Sequence, residues 1–159
     1  MTADLTNAHV YRCIAEEALA ETTRLDAEAK GPKPDRSPGF VVRFDPERTS
    51  FKSALIAIAF SGIYLEALLF VHGTFRMGAT WEKQFDRKPY EEKLKALGIT
   101  DEMLLGSAKR LRKVRRELVH EKARPLEAAD RSKIYWAQSE AREAVAFIQA
   151  IAATLTTAS

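Results

Sequence analysis

The sequence predicts an all-α protein, an up-and-down four-helix bundle with one short additional helix. Apolar residues recur at three- and four-residue spacing in four long segments. All the prolines, Pro32, Pro34, Pro38, Pro46, Pro89 and Pro125, fall between those segments, where they end helices without interrupting them. Phe40 to Phe44 alternates loosely and reads as a short extended piece.

The first segment runs from about Asp4 to Lys30. Val10, Ile14, Ala18 and Leu25 recur beside Glu16, Glu17, Glu21 and Glu28, the pattern of an amphipathic helix within residues 1–30. Gly31-Pro32-Lys33-Pro34 stops it, and Pro38-Gly39 and Asp45-Pro46 mark residues 31–49 as a Pro/Gly-rich loop. Asp45 is placed to cap a second helix, from about Ser50 to Phe75. Phe51, Leu55, Ile58, Leu65 and Leu69 share one face of it, while Ile56, Phe60, Ile63 and Phe70 cover the other, so it should be buried at the centre. Trp81 to Arg87 reads as irregular, and Pro89 to Leu97 as a short helix stopped by Gly98. Thr100 is placed to cap a third long helix running towards His120, with Asp101 and Glu102 at its favourable end. After Pro125 a last helix, Leu126 to Leu155, turns Ile134, Ala141, Val145, Ile148, Ala152 and Leu155 inward. The 159 residues form one domain, with residues 50–157 as its core.

Composition narrows the class. Hydrophobic residues at 46% and charged residues at 30% are a globular balance, which argues against a disordered chain. Cys13 is the single cysteine, so a disulfide-stapled secreted scaffold is excluded and a reducing compartment is expected. Asp4, Glu16 and Glu17 near the start do not make a secretory signal, and the expected location is cytoplasmic. Leu55 to Val71 is about as long as the shortest bilayer span, but Ser61, Gly62 and Glu66 interrupt it, so a buried helix is expected and not a membrane one.

Charge is unevenly spread. Net charge is +3, yet the window Lys109 to Arg124 holds eight Lys or Arg against Glu117 and Glu121, which leaves the remainder mildly acidic. Such concentration suggests an anionic partner at one element. With Leu104 as zero on a helical wheel, Ala108, Leu111, Leu118 and Val119 lie within about 60°, and Arg115 falls among them at about 20°. Lys109, Arg112, Lys113, Arg116 and His120 lie on the other side. A guanidinium on an apolar stripe needs a partner or an anion, because losing its hydration costs several kcal/mol, roughly. Glu66, an acid within the most apolar helix, poses the complementary problem, and an ion pair between Glu66 and Arg115 would answer both. That pair could be purely structural or part of a site.

Other chemistry has little support. His9, His72 and His120 are far apart, no His-Glu-x-x-His pattern exists, and one cysteine cannot build a zinc motif, so no metal is expected. Phosphate-binding and dinucleotide glycine patterns are absent, so no cofactor is expected either. Trp81, Tyr90, Tyr135 and Trp136 could stack on bases, although packing is the simpler duty for most of them.

Arg115-Arg116-Glu117-Leu118-Val119-His120 resembles the signature of the HEPN family, an arginine separated by four to six residues from a histidine near the end of the third helix of a bundle. Ser61-Gly62-Ile63-Tyr64-Leu65-Glu66-Ala67-Leu68-Leu69 is similar to that family's long apolar helix with its embedded acid. The resemblance spans roughly Ser50 to Leu155; Arg116 departs from the Asn, Asp or His more usual after the arginine. It implies metal-independent cleavage of RNA, in which a ribose 2′-hydroxyl attacks its own phosphate. Arg115 and His120 would be essential, Arg116 and Glu66 would support them, and Lys109, Arg112, Lys113, Lys122 and Arg124 would bind flanking RNA phosphates. In an unbroken helix Arg115 and His120 point about 140° apart, so convergence needs a loosened helix near Val119 or a second subunit. The family's answer is a homodimer with a composite cleft, and that is expected here. The resemblance also implies a toxin or antiviral defence role, with an antitoxin or nucleotidyltransferase as a partner. The alternatives are a non-catalytic HEPN-like module that binds RNA, a nucleotide or a partner protein, and a DNA-binding or scaffolding bundle whose basic helix is only a solvated face.

Overall fold

A computed structural model describes residues 7–43, 45–119 and 131–157. Among them the protein is mostly helical, with six α-helices, one π-helical turn and a single two-stranded sheet. Helix α1, Ala8–Ala29, is rich in Ala, Glu, Leu and Arg and contains no Gly or Pro, and on its exposed side Arg24 bridges Glu21 and Glu28 at 2.7 and 2.6 Å. It stops where Lys30 turns extended.

The expected loop contains a hairpin. Strand β1, Lys30–Pro32, pairs antiparallel with β2, Phe40–Val42, in the register Lys30↔Val42, Gly31↔Val41, Pro32↔Phe40. Proline is tolerated here because a two-stranded sheet has only edges, so its missing N–H breaks no central ladder.

Helix α2, Thr49–Met77, starts after Arg48, a residue held in the left-handed region at φ 53°. Asp45 is not its N-cap, although its carboxylate accepts from the Ser50 N–H at 3.4 Å. Ala54, Ala57, Ile58, Leu65 and Leu69 are buried, and α1 and α6 pack along the helix. By length and composition alone α2 could cross a bilayer. The expectation that protein covers it all round is only partly met: Ile56, Phe70 and Phe75 stay exposed, because the long helices α1 and α6 leave part of its circumference uncovered.

The stretch expected to be irregular forms a helix, α3, Ala79–Phe85. Gly78, at φ 59° and ψ −144°, turns the chain back so that Trp81 lies buried against Gly73, where a β-carbon would stand 2.6 Å from the ring's Cε3. Phe85 stacks on that indole at 4.9 Å between centroids. One buried tryptophan anchors a helix too short to show periodicity.

Helix α4, Tyr90–Ala96, follows Pro89 and ends ahead of Gly98, which takes φ 85°. Helix α5, Glu102–Val114, is capped by Asp101 and not by Thr100: the aspartate accepts from the Met103 and Leu104 N–H groups at 2.8 and 3.2 Å. Helix α6, Arg131–Thr157, buries Ala137, Ala141, Val145, Ile148, Ile151 and Leu155; the expected start at Leu126 lies outside the described residues. Two polar contacts lock α6 in place. Arg110 grips Glu140 with Nε at 2.8 Å and with Nη2, and Gln138 donates to the Ser50 hydroxyl.

Candidate functional site

Where α5 should continue towards His120, the backbone changes. Residues Arg115–Val119 form a π-helical turn, closed by i→i+5 bonds in place of i→i+4. Val114 just before the turn and Leu118 within it remain buried, while the Arg115 side chain, 18% exposed, reaches across to α2.

Glycine makes that crossing possible. A β-carbon at Gly62 would collide with the Cδ, Nε and Cζ atoms of Arg115, the last at 2.6 Å. The guanidinium therefore lies flat on α2 backbone, and one helical turn further on it meets Glu66: Arg115 Nη1 stands 2.9 Å from Glu66 Oε1. The pair expected from two unsatisfied charges thus forms. Its burial is not what the wheel suggested, since the Glu66 side chain is 52% exposed and sits at a rim.

A third residue joins from α4. Tyr90 Oη donates to Glu66 Oε1 at 2.7 Å and accepts from Arg115 Nη1. Burial, reinforced by the hydrogen bond to Glu66 and opposed by the Arg115 charge, pushes the phenol above its ordinary range, so it stays a protonated donor at neutral pH. Three elements distant in sequence thus fix one nitrogen of the guanidinium. Arg115 Nε is buried with no hydrogen-bond partner, its donor left over by the arrangement.

The triad stands in the wall of an open groove of about 760 Å³. Ile63, Ala67, Phe70 and Val71 of α2 give it an apolar floor. Its cationic lining residues are Arg112, Arg115 and Arg116, from α5 and the π-turn, and Arg87, Lys88 and Lys93, from the segment joining α3 to α4 and from α4. Glu66 and Asp86 are its two carboxylate-bearing lining residues, so its field favours an anion. Arg112 is steadied by Glu91 at 2.7 Å, Lys93 donates to the Asp86 carbonyl at 2.8 Å, and Arg116 is exposed.

The structure therefore brings together Arg115, Glu66, Arg112 and Arg116 of the residues singled out in the sequence. Lys109 and Lys113 do not line the groove; both are exposed, with Lys113 3.9 Å from Glu117. His120, Lys122 and Arg124 lie outside the described residues.

No family model, curated protein or solved structure matches this chain. The site is read from its own chemistry. Among the described residues no group of three or more His, Cys, Asp or Glu is placed to hold a metal ion, whereas cationic donors above an apolar floor suit a ligand that is part phosphate and part ring. Sequence reasoning weighed Tyr90 for base stacking and packing but missed it as the partner of Glu66 and Arg115, and it missed Gly62, Arg87 and Lys88. Gly62 did carry a signal, a glycine one helical turn before the only acid of an apolar helix. Nothing in the spacing of Tyr90 marked it, because its partners come from other elements.

Proposed function

We propose that this chain is a HEPN-like, metal-independent endoribonuclease: a cytoplasmic four-helix bundle that acts as a two-fold dimer in toxin or antiviral defence. The observation that carries the proposal is the π-turn beginning at Arg115, with that guanidinium held by Glu66 and Tyr90 at the edge of a cationic groove. An α-helix sets residues five apart about 140° from one another, whereas i→i+5 closure brings such positions round towards one side. His120 is the residue five positions after Arg115.

The chemistry follows from those groups. A ribose 2′-oxygen attacks the adjacent phosphorus as the bond to the 5′-oxygen breaks. His120 accepts the 2′ proton or supplies one to the departing 5′-oxygen, and the partner subunit's copy of the motif offers the complementary transfer across the cleft. Arg115 donates to the phosphate oxygens as charge builds on them, while Arg116 and Arg112 hold flanking phosphates. The products are a cyclic phosphate and a 5′-hydroxyl. DNA lacks the attacking hydroxyl and is not cut. An antitoxin or nucleotidyltransferase partner would act by covering this groove.

One observation favours a second reading. Arg115 Nη1 is already engaged by Glu66 and Tyr90, as it would be in a non-catalytic module that binds RNA, a nucleotide or a partner protein through the same basic face. Cleavage of single-stranded RNA in EDTA separates the two. Wild type should cut, and Arg115→Ala and His120→Ala should not. Binding without cutting leaves the module, and loss of cutting on chelation removes the proposal.

A further inference from the structure

The groove holds more than a phosphate site. Its arginines account for an anion, yet its floor is apolar and carries one aromatic ring with an open face. Among the described aromatic residues lining it, Trp81 and Tyr90 are buried and Tyr11 packs against Phe60 at 6.2 Å between centroids. Phe70, in contrast, is 42% exposed, a large apolar surface left in water on the lining of the groove.

Its position is informative. Phe70 follows Glu66 by four residues on α2, so the two share a face and their backbone positions are about 6 Å apart along the axis, close to the carboxylate that fixes Arg115. That separation is comparable to the reach from a nucleotide's phosphate to its base. Arg87 and Lys88, just before Pro89, also line the groove and offer cations to a neighbouring phosphate of the same strand. Such a lining, an exposed ring and six cationic side chains in one groove, suits an unpaired nucleotide whose base leaves the stack of its neighbours. A duplex would keep its bases away from the floor.

We infer that Phe70 is the stacking platform of a base subsite, so that the groove takes single-stranded RNA with one unstacked base on the α2 floor, its own phosphate on Arg115 and a neighbouring one on Arg87 and Lys88. Ile63, Ala67 and Val71 close the floor around the ring and offer it no hydrogen-bonding side chain, so the subsite accepts any base and prefers those that stack best. This inference rests on the ribonuclease reading for the identity of the ligand, but it concerns binding and not bond breaking.

The test uses the full chain and a short 2′-O-methylated oligoribonucleotide, which cannot be cut because its nucleophile is blocked, with affinity read by fluorescence anisotropy. Phe70→Ala should weaken binding about tenfold, and Phe70→Trp should restore it, in line with what base stacking on an aromatic ring contributes. A matching oligomer of abasic units should bind wild type and Phe70→Ala alike. The inference is overturned if Phe70→Ala binds the intact oligomer as tightly as wild type does, or loses the same factor on the abasic one. It is equally overturned if wild type ignores the oligomer and Phe70 governs binding to vesicles of anionic lipid instead. Cutting of unmethylated RNA by wild type but not by Arg115→Ala, scored beside these, shows whether the catalytic reading stands or falls separately.

Discussion

Of the arginine–glutamate pairs that tie α5 and the π-turn to their neighbours, Arg110–Glu140 and Arg115–Glu66 are built in opposite senses. At one, Glu140 is 3% exposed while the Arg110 side chain is 55% exposed, and the fork closes on both carboxylate oxygens. At the other, five residues on, Arg115 is the sheltered partner and Glu66 the exposed one, a single nitrogen is shared with Tyr90, and Nε stays unpaired. The first pair satisfies a buried acid and ends there, as a structural clamp between α5 and α6. The second holds a cation in place while leaving donor capacity beside an open groove. Residue type does not separate clamp from site; which partner is buried does.

The largest effect on stability should come from the clamp. Arg110→Ala leaves the Glu140 carboxylate without its partner and should lower unfolding free energy by about 2 kcal/mol in a urea titration. RNA cleavage measured well below the unfolding midpoint should be unchanged. A variant as stable as wild type would erase the distinction drawn between the pairs.

Gly62→Ala tests the other pair with one methyl group. The new β-carbon takes the space of the guanidinium, so Arg115 must leave Glu66, and cleavage should fall about a hundredfold, comparable to losing one transition-state donor. Stability should move by only about 1 kcal/mol, since the better helix propensity of alanine offsets part of the crowding. Full activity would show that Arg115 need not lie where it does.

Tyr90→Phe removes one hydrogen-bonding group and keeps the packing, and should lower stability by about 1 kcal/mol in the same titration. The smallest effect is a slope. Because burial and Glu66 raise the folded-state phenol pKa above its unfolded value, near 10, the unfolded chain loses that proton first as pH rises. The contribution of Tyr90 is complete below about pH 10 and declines as pH rises towards the folded value. Thermal melts between pH 9 and about pH 11 should therefore fall more steeply for wild type than for Tyr90→Phe. Parallel slopes would mean that Tyr90 titrates alike in both states.

Part of this molecule was readable without coordinates. The long helices follow the apolar period, and the need of Arg115 and Glu66 for partners follows from placing charges on apolar helices. The π-turn was only an open requirement, that the helix loosen or a second subunit contribute. Helix α3 was not readable, because seven residues are too few to show a period and its stability comes from Trp81 fitting against Gly73. The basic strip drawn on the wheel was also divided. Arg112 and Arg116 face the groove and Lys109 and Lys113 do not, a split decided by where α4 and the π-turn stand.

What the sequence determined by itself was local: a mostly helical chain, its breaks, and two charges that could not be left alone. Only the tertiary structure decided that Tyr90 would join them, that Gly62 would make room for a guanidinium, and that Phe70 would be left bare in the groove lining. The physical reason is range. Helix formation is set by neighbours a turn away, whereas burial and hydrogen-bond partners depend on residues that meet only when the helices pack.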